Sequence, residues 1–257
     1  INNKFIPSGI LTLIGEPPQG KTAEEYLRAF FGRADYKFMN RYFLGVSFRQ
    51  DGSSKFNENY RWGTFPALSA GWVISDEPFW GNSMFSQVKL RGSYGQTGNK
   101  NIPSNRFVTT YANNTDWRYG PADVILEGTR ITNIGVPSLT WETTSSYDAG
   151  IDFGLWEGRV SGSVAYYQQE VTDLLLASPL ATSAGLQGNR IWGNIGDMSN
   201  WGVEFDVSSS NIRRGDFTWT TDFNITTNRN QVNRLTPDLD RSGRGLLSGS
   251  RVSQTGG

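Results

Sequence analysis

The 257 residues carry 24 Lys and Arg against 24 Asp and Glu, with no Cys, no His, aromatics at 13% and charged residues at 19%. Lack of Cys excludes disulfides and thiolate chemistry, and lack of His excludes the Ser-His-Asp triad, imidazole zinc sites and histidine bases. A net charge of zero removes a broad basic field for nucleic acid, and no apolar run approaches the ~20 residues of a transmembrane helix.

That last exclusion does not touch a membrane β-barrel, whose strands alternate apolar and polar residues. The 30 glycines, with 15 Phe, 10 Tyr and 9 Trp, lean toward β structure rich in turns. No charged segment followed by an apolar one succeeds Ile1, so the chain reads as a mature or internal piece, with signal peptide and plug domain absent. Residues 1–25 read as a loop leading into the first strand. Within it Gly15 to Thr22 (GEPPQGKT) matches the phosphate-loop pattern. Pro17 and Pro18 delete two backbone N–H donors from a loop whose purpose is to present them. The rest of the chain offers amphipathic antiparallel strands instead of the buried parallel ones that such a loop needs, which leaves nucleotide binding as a remote alternative.

Tyr26 to Lys37 and Arg41 to Gln50 form the first pair, with Tyr42, Leu44, Val46 and Phe48 on one parity and a hinge at Phe38 to Asn40. Phe65 to Val73 and Gln87 to Gln96 form a looser pair, joined by Ile74 to Ser86. Next, Tyr147, Ala149, Ile151, Phe153 and Leu155 alternate with Ser146, Asp148, Gly150, Asp152 and Gly154; a turn at Glu157-Gly158 leads into Arg159 to Gln169. Val203, Phe205 and Val207 then pair through Asn211 to Gly215 with Phe217, Trp219, Thr221, Phe223, Ile225 and Thr227. Residues 236–257 read as a loop or truncated end.

Connections within pairs are mostly short, whereas those between pairs, Asp51 to Thr64, Thr97 to Thr140 and Val171 to Asp197, are long and polar. This is the layout of outer-membrane barrels, with short periplasmic turns and long extracellular loops. The polar parity is mostly Ser, Thr, Asn, Asp and Gly, small groups suited to a crowded wet interior. Trp72, Trp156, Trp201 and Trp219 near strand ends fit interfacial girdles or ordinary core packing. Alternation alone leaves a water-soluble sandwich or propeller open. Asp123, Glu127, Glu142, Asp148 and Asp152 show no spacing that singles out a catalytic dyad, and Asn113 to Asp116 lack the pattern of a calcium loop. No catalytic residue, cofactor or metal is expected.

Arg49 to Phe56 (RQDGSSKF), Arg61-Trp62-Gly63, Phe65 to Trp72 (FPALSAGW), Ile74 to Phe79 (ISDEPF) and Val88 to Asn99 (VKLRGSYGQTGN) resemble the SusC/RagA-like TonB-linked outer-membrane transporters. So do Pro137 to Glu142 (PSLTWE), Gly150 to Gly154 with Arg159 to Tyr167, and Thr172 to Leu175 (TDLL). The resemblance implies an all-β fold: residues 26–235 would be an antiparallel transmembrane β-barrel section of about eight strands, from a plugged barrel of about 22. It further implies import of oligosaccharides or peptides, energised through TonB, with a SusD-like surface lipoprotein, in the outer membrane of a Bacteroidetes-type Gram-negative cell, and no enzymatic activity. Tyr60, Trp62, Trp117, Tyr119 and Trp192 would stack on ligand, with Asn113, Asn114 and Asn189 as polar partners. Each of these also reads as packing its own loop or touching the lipoprotein. The alternative of another class is a soluble all-β binding or structural domain of adhesin or propeller type.

Overall fold

The computed structural model describes residues 25–81, 83–119, 126–180, 183, 186, 188–235, 247–248 and 251–252, with backbone alone at 113–119, 126–128, 247–248 and 251–252. GEPPQGKT lies outside the described residues. Eight strands form one antiparallel sheet: β1 (Leu27–Phe38), β2 (Tyr42–Ser53), β3 (Trp62–Val73), β4 (Phe85–Asn99), β7 (Glu142–Leu155), β8 (Val160–Thr172), β11 (Gly196–Arg214) and β12 (Phe217–Leu235). They lie in the order β1-β2-β3-β4-β7-β8-β11-β12, so the sheet is a pure up-and-down meander. Two further hairpins, β5 (Thr110–Tyr119) with β6 (Leu126–Asn133) and β9 (Leu175–Pro179) with β10 (Arg190–Asn194), are insertions in the two longest connections.

Three of the four connections at one end are compact; the fourth, between β3 and β4, is longer and opens with a 3₁₀ turn at Ile74–Asp76. Phe38 to Arg41 is a two-residue turn with φ of 52° and 56° at Met39 and Asn40, closed by the Arg41 N–H on the Phe38 carbonyl at 3.0 Å. This primed geometry matches the strand twist. The β7–β8 turn uses it again, with Trp156 and Glu157 at positive φ, one residue earlier than the Gly-based expectation. The β11–β12 turn, in contrast, is later and tighter than expected, at residues 215–216, because β11 continues through Asn211 to Arg214 past a register shift at Ser210/Ile212.

Register explains the alternation. Phe38, Tyr42, Trp72, Leu90, Ile151, Val164, Phe205 and Ile225 are successive cross-strand partners, one apolar row over all eight strands. The row one residue away is Lys37, Phe43, Gly71, Arg91, Gly150, Ala165, Glu204 and Thr226. One face is therefore greasy and the other wet. The apolar row meets β1 at its last residue, Phe38, but crosses β12 well inside its first, at Ile225 against Phe217. A climb of ~27 Å across a sheet ~34 Å wide gives a strand tilt of roughly 40°, within the range for barrels.

A soluble sandwich would cover the apolar face with a second sheet. Here Leu44 and Ile151 remain 45% exposed and Ile225 53%. The buried cluster is elsewhere: Phe56, Phe65, Ile102, Leu139, Trp141 and Leu175 gather at the loop end. Most of them come from the connections rather than from the sheet. No described helix is long and apolar enough to cross a membrane.

Candidate functional site

The wet face and the loops above it make one continuous surface. On the wet face Arg91 of β4 reaches across to β7, pairing with Asp148 at 2.8 Å and Asp152 at 3.2 Å. The residue opposite Arg91 is Gly150, where a Cβ would sit 2.9 Å from the guanidinium carbon, so only Gly lets the side chain lie flat on the neighbouring strand. Lys37 and Lys89 both approach the Phe43 ring, at 5.4 and 5.6 Å from its centroid. Farther toward the loops the wall thins to Ser47, Ser69, Ser93 and Ser146, leaving a hollow of about 250 Å³ beside Arg33. These are fixed, water-compatible groups rather than a reaction centre. Among the described residues no three acidic or other metal-binding side chains cluster.

The loop end is built around Trp141. Its indole packs against Phe56 at 5.3 Å and edge-on to Phe65 at 5.6 Å, and its Nε1–H donates to the Arg61 carbonyl at 2.9 Å. Three connections thereby share one core. Polar anchors tie the same segments together. Asn194 accepts from the Thr140 N–H at 3.0 Å and donates to the carbonyls of Thr140 (3.0 Å) and Asp173 (2.8 Å). Glu142 takes the Leu175 N–H and the Asn99 amide, both at 3.0 Å. Glu25, before β1, binds Lys55 at 3.0 Å and accepts from Ser104 at 2.9 Å, and these partners hold its carboxyl below the usual glutamate range, the Lys55 bond first.

The structure separates the expected ligand residues. Tyr60 ends a 3₁₀ turn, Glu58–Tyr60, and is 43% exposed. Trp192 lies on β10 packed against the loop core. Asn189 sits at the β9–β10 hairpin with φ 45°, its carbonyl accepting from the Leu180 N–H. Asn113, Asn114, Trp117 and Tyr119 fall on β5, whose pairing with β6 is irregular between Asn114 and Tyr119. Trp62 stands apart from the other seven. It has the parity of Trp72 on β3 and stacks on Phe30 at 6.0 Å, so it belongs to the outer, greasy face. Sequence parity could not show this without the register that sets Trp62 opposite Gly52. Phe56, Leu139 and Leu175, which lie in the family-like motifs but were given no role by the sequence, hold the loops; as isolated apolar positions in polar stretches they show no periodicity.

The turn end carries its own device. Tyr36, Phe38, Tyr42 and Trp72 stack in a chain at 6.2–6.4 Å. Glu77, in the β3–β4 connection, accepts from the Tyr42 hydroxyl at 2.5 Å and the Trp72 indole at 3.0 Å and faces Arg41 at 3.4 Å. Those donors, Tyr42 first, lower its pKa. Trp156 and Trp219, 56% and 53% exposed, extend the aromatic zone along the same end, whereas Trp201 lies toward the loops. An apolar band bordered by aromatics is what a barrel wall shows to lipid.

Comparison with known proteins agrees with this geometry. The family model described as TonB dependent receptor-like, beta-barrel, matches residues 3–253. The TonB-dependent receptor SusC of Bacteroides thetaiotaomicron is 35% identical over 232 residues, covering 89% of this chain and 23% of SusC. Among solved structures, the RagAB peptide importer in its closed-closed state superposes with a TM-score of 0.72 at 27% identity, over 84% of this chain and 24% of that one. The siderophore receptor PirA from Pseudomonas aeruginosa, at 15% identity and a TM-score of 0.51 over 81% of this chain and 35% of its own, shares the fold. The chain thus spans about a quarter of the length of SusC and of the RagAB chain that it matches.

Proposed function

The chain belongs to the TonB-dependent receptor-like β-barrel family, a family of outer-membrane transporters rather than of enzymes, and we propose that it supplies a wall-and-loop section of an importer for oligosaccharides or peptides. The wall section is an antiparallel sheet with one lipid-facing and one lumen-facing surface. The complete transporter draws energy from TonB and works with a SusD-like surface lipoprotein that covers the loop end. In support of this reading stand the likeness to SusC and to the RagAB peptide importer.

The observation that carries the proposal is the shared core around Trp141, which holds three connections above the wet face as a fixed mouth. A fixed mouth lowers the entropy lost when a flexible oligomer binds. Tyr60 and Trp192, with Trp117 and Tyr119 on β5, present aromatic faces to the solute, and Asn113, Asn114 and Asn189 orient it. Arg91, Asp148 and Asp152 line the route below. In the full-length transporter, Tyr60→Ala combined with Trp117→Ala is expected to weaken binding of its oligosaccharide or peptide solute by about tenfold or more, measured by titration calorimetry across a panel of both classes. Unchanged affinity throughout the panel overturns the residue assignment, and absence of binding by the parent to either class overturns the solute class.

A further inference from the structure

On β1 to β3 the outward parity is without charge until the loop end, where Arg28 appears. Beside it a cavity of about 620 Å³ is lined by Tyr26, Arg28, Gly52, Ser54, Arg61 and Trp62. This cavity sits on the greasy side of the sheet, not over the lumen. Its floor is Gly52: a Cβ there would meet the Trp62 ring at 2.8 Å, so the indole lies directly on the strand and stacks outward on Phe30. Arg61 is anchored through its carbonyl, which accepts from the Ser53 N–H at 3.1 Å and from the Trp141 indole at 2.9 Å.

The two arginines differ from the five that ion pairs hold among the described residues, and Arg61 shares its unpartnered Nε with Arg106 and Arg130 of the β4–β7 connection. Arg33, Arg41, Arg49, Arg91 and Arg234 each face a carboxylate. Among the described residues Arg28 and Arg61 form no ion pair, no acidic residue lines the cavity, and the buried Nε of Arg61 has no hydrogen-bond partner. Two guanidinium groups lining one cavity without a carboxylate between them leave N–H donors open to an anion. Immediately toward the membrane centre, Phe30 is 56% exposed and Phe48 49%, an apolar track continuous with the cavity. An occupant that satisfies both halves has an anionic oxygen head and hydrocarbon tails. The loop end is the extracellular end of such a barrel, so the head belongs to the outer leaflet.

We propose that Arg28 and Arg61, with Trp62 as the wall between them and the apolar band, bind the phosphate of an outer-leaflet lipid. Guanidinium forks match phosphate oxygens in pairs, and the indole sits at the depth where amphipathic rings rest in membranes. Trp62 thereby has a role on the lipid side of the wall, away from the transported solute.

The test uses the full-length transporter in phosphatidylcholine nanodiscs that contain lipid A or lipid A stripped of phosphate, with retained lipid counted by native mass spectrometry. The parent is expected to retain the phosphorylated form in preference, and Arg28→Gln with Arg61→Gln to lower that retention by about tenfold. Arg28 is exposed and forms no ion pair among the described residues, so Arg28→Gln alone leaves the barrel folded by heat-modifiable migration and is expected to lower retention severalfold. Equal retention of the two lipids by the parent, or undiminished retention by a folded Arg28→Gln barrel, overturns the proposal. Displacement of the lipid by millimolar inorganic phosphate assigns a free-anion site and overturns the lipid as occupant.

Discussion

The sheet and the loop end solve opposite solvation problems with the same kinds of residue. In the sheet, Leu44, Ile151 and Ile225 stand exposed along an uninterrupted apolar row, and what would be a core in a soluble protein faces outward. At the loop end, Phe56, Leu139 and Trp141 are almost completely buried, and the core is as dry as that of a small globular domain. The wall therefore relies on lipid for its apolar contacts, whereas the mouth supplies its own. A transporter gains from this division: the wall can be continuous and thin, and the mouth can keep its shape in water.

The division can be broken from either side. Trp141→Ala removes the centre of the loop core and leaves the Arg61 carbonyl without its indole donor, an expected loss of about 3–5 kcal/mol of local stability. Limited proteolysis of the full-length barrel should then cut within residues 54–61 and 100–141, while its heat-modifiable migration persists. Ile151→Arg places a charge in the middle of the lipid-facing band and is expected to cost ~2–4 kcal/mol. Its defect should appear as reduced folding yield in bilayers, with the loops equally protected in whatever fraction folds. Gly150→Val forces Arg91 off its neighbour strand, with an expected cost of about 1–3 kcal/mol and a local change confined to β4 and β7 by hydrogen exchange.

The smallest expected effect lies at the turn end. Glu77 has a folded pKa held below its ordinary 4.5 by Tyr42 and Trp72, so its contribution is complete above that value and is lost as pH falls through the lowered one. Glu77→Gln should flatten the stability profile in that acidic window, with a small loss of stability at neutral pH and almost none below the window, as read by Trp fluorescence during denaturant titration.

Much of the wall was legible because lipid and lumen impose strict parity. Phe217 to Thr227 and Tyr147 to Leu155 announce their strands without help. The far half of β11 did not, since Ser208 to Arg214, opposite Phe217 to Asp222, show no alternation of their own. The hairpins β5–β6 and β9–β10 were hidden for a similar reason: they protrude among polar loops, where no face must be apolar. The loop core was the least legible part. Phe56, Ile102, Leu139 and Leu175 are far apart in the chain, and only the sheet order brings their loops together. Trp62 shows the limit for single residues, because the side of the wall on which an aromatic stands depends on strand register rather than on its place near a loop.

The central claim is that one parity of this sheet faces lipid and the other the lumen, and the absence of Cys from these 257 residues makes it directly testable. Single cysteines placed in turn from Tyr147 to Gly154 of β7 in the full-length transporter, spin-labelled in bilayers, would report accessibility to dissolved oxygen against a water-soluble nickel chelate. The account predicts a period of two, with high oxygen and low nickel accessibility at Tyr147, Ala149, Ile151 and Phe153 and reduced oxygen accessibility at Asp148, Gly150, Asp152 and Gly154. A profile without that alternation, or one with its phase reversed, would contradict it.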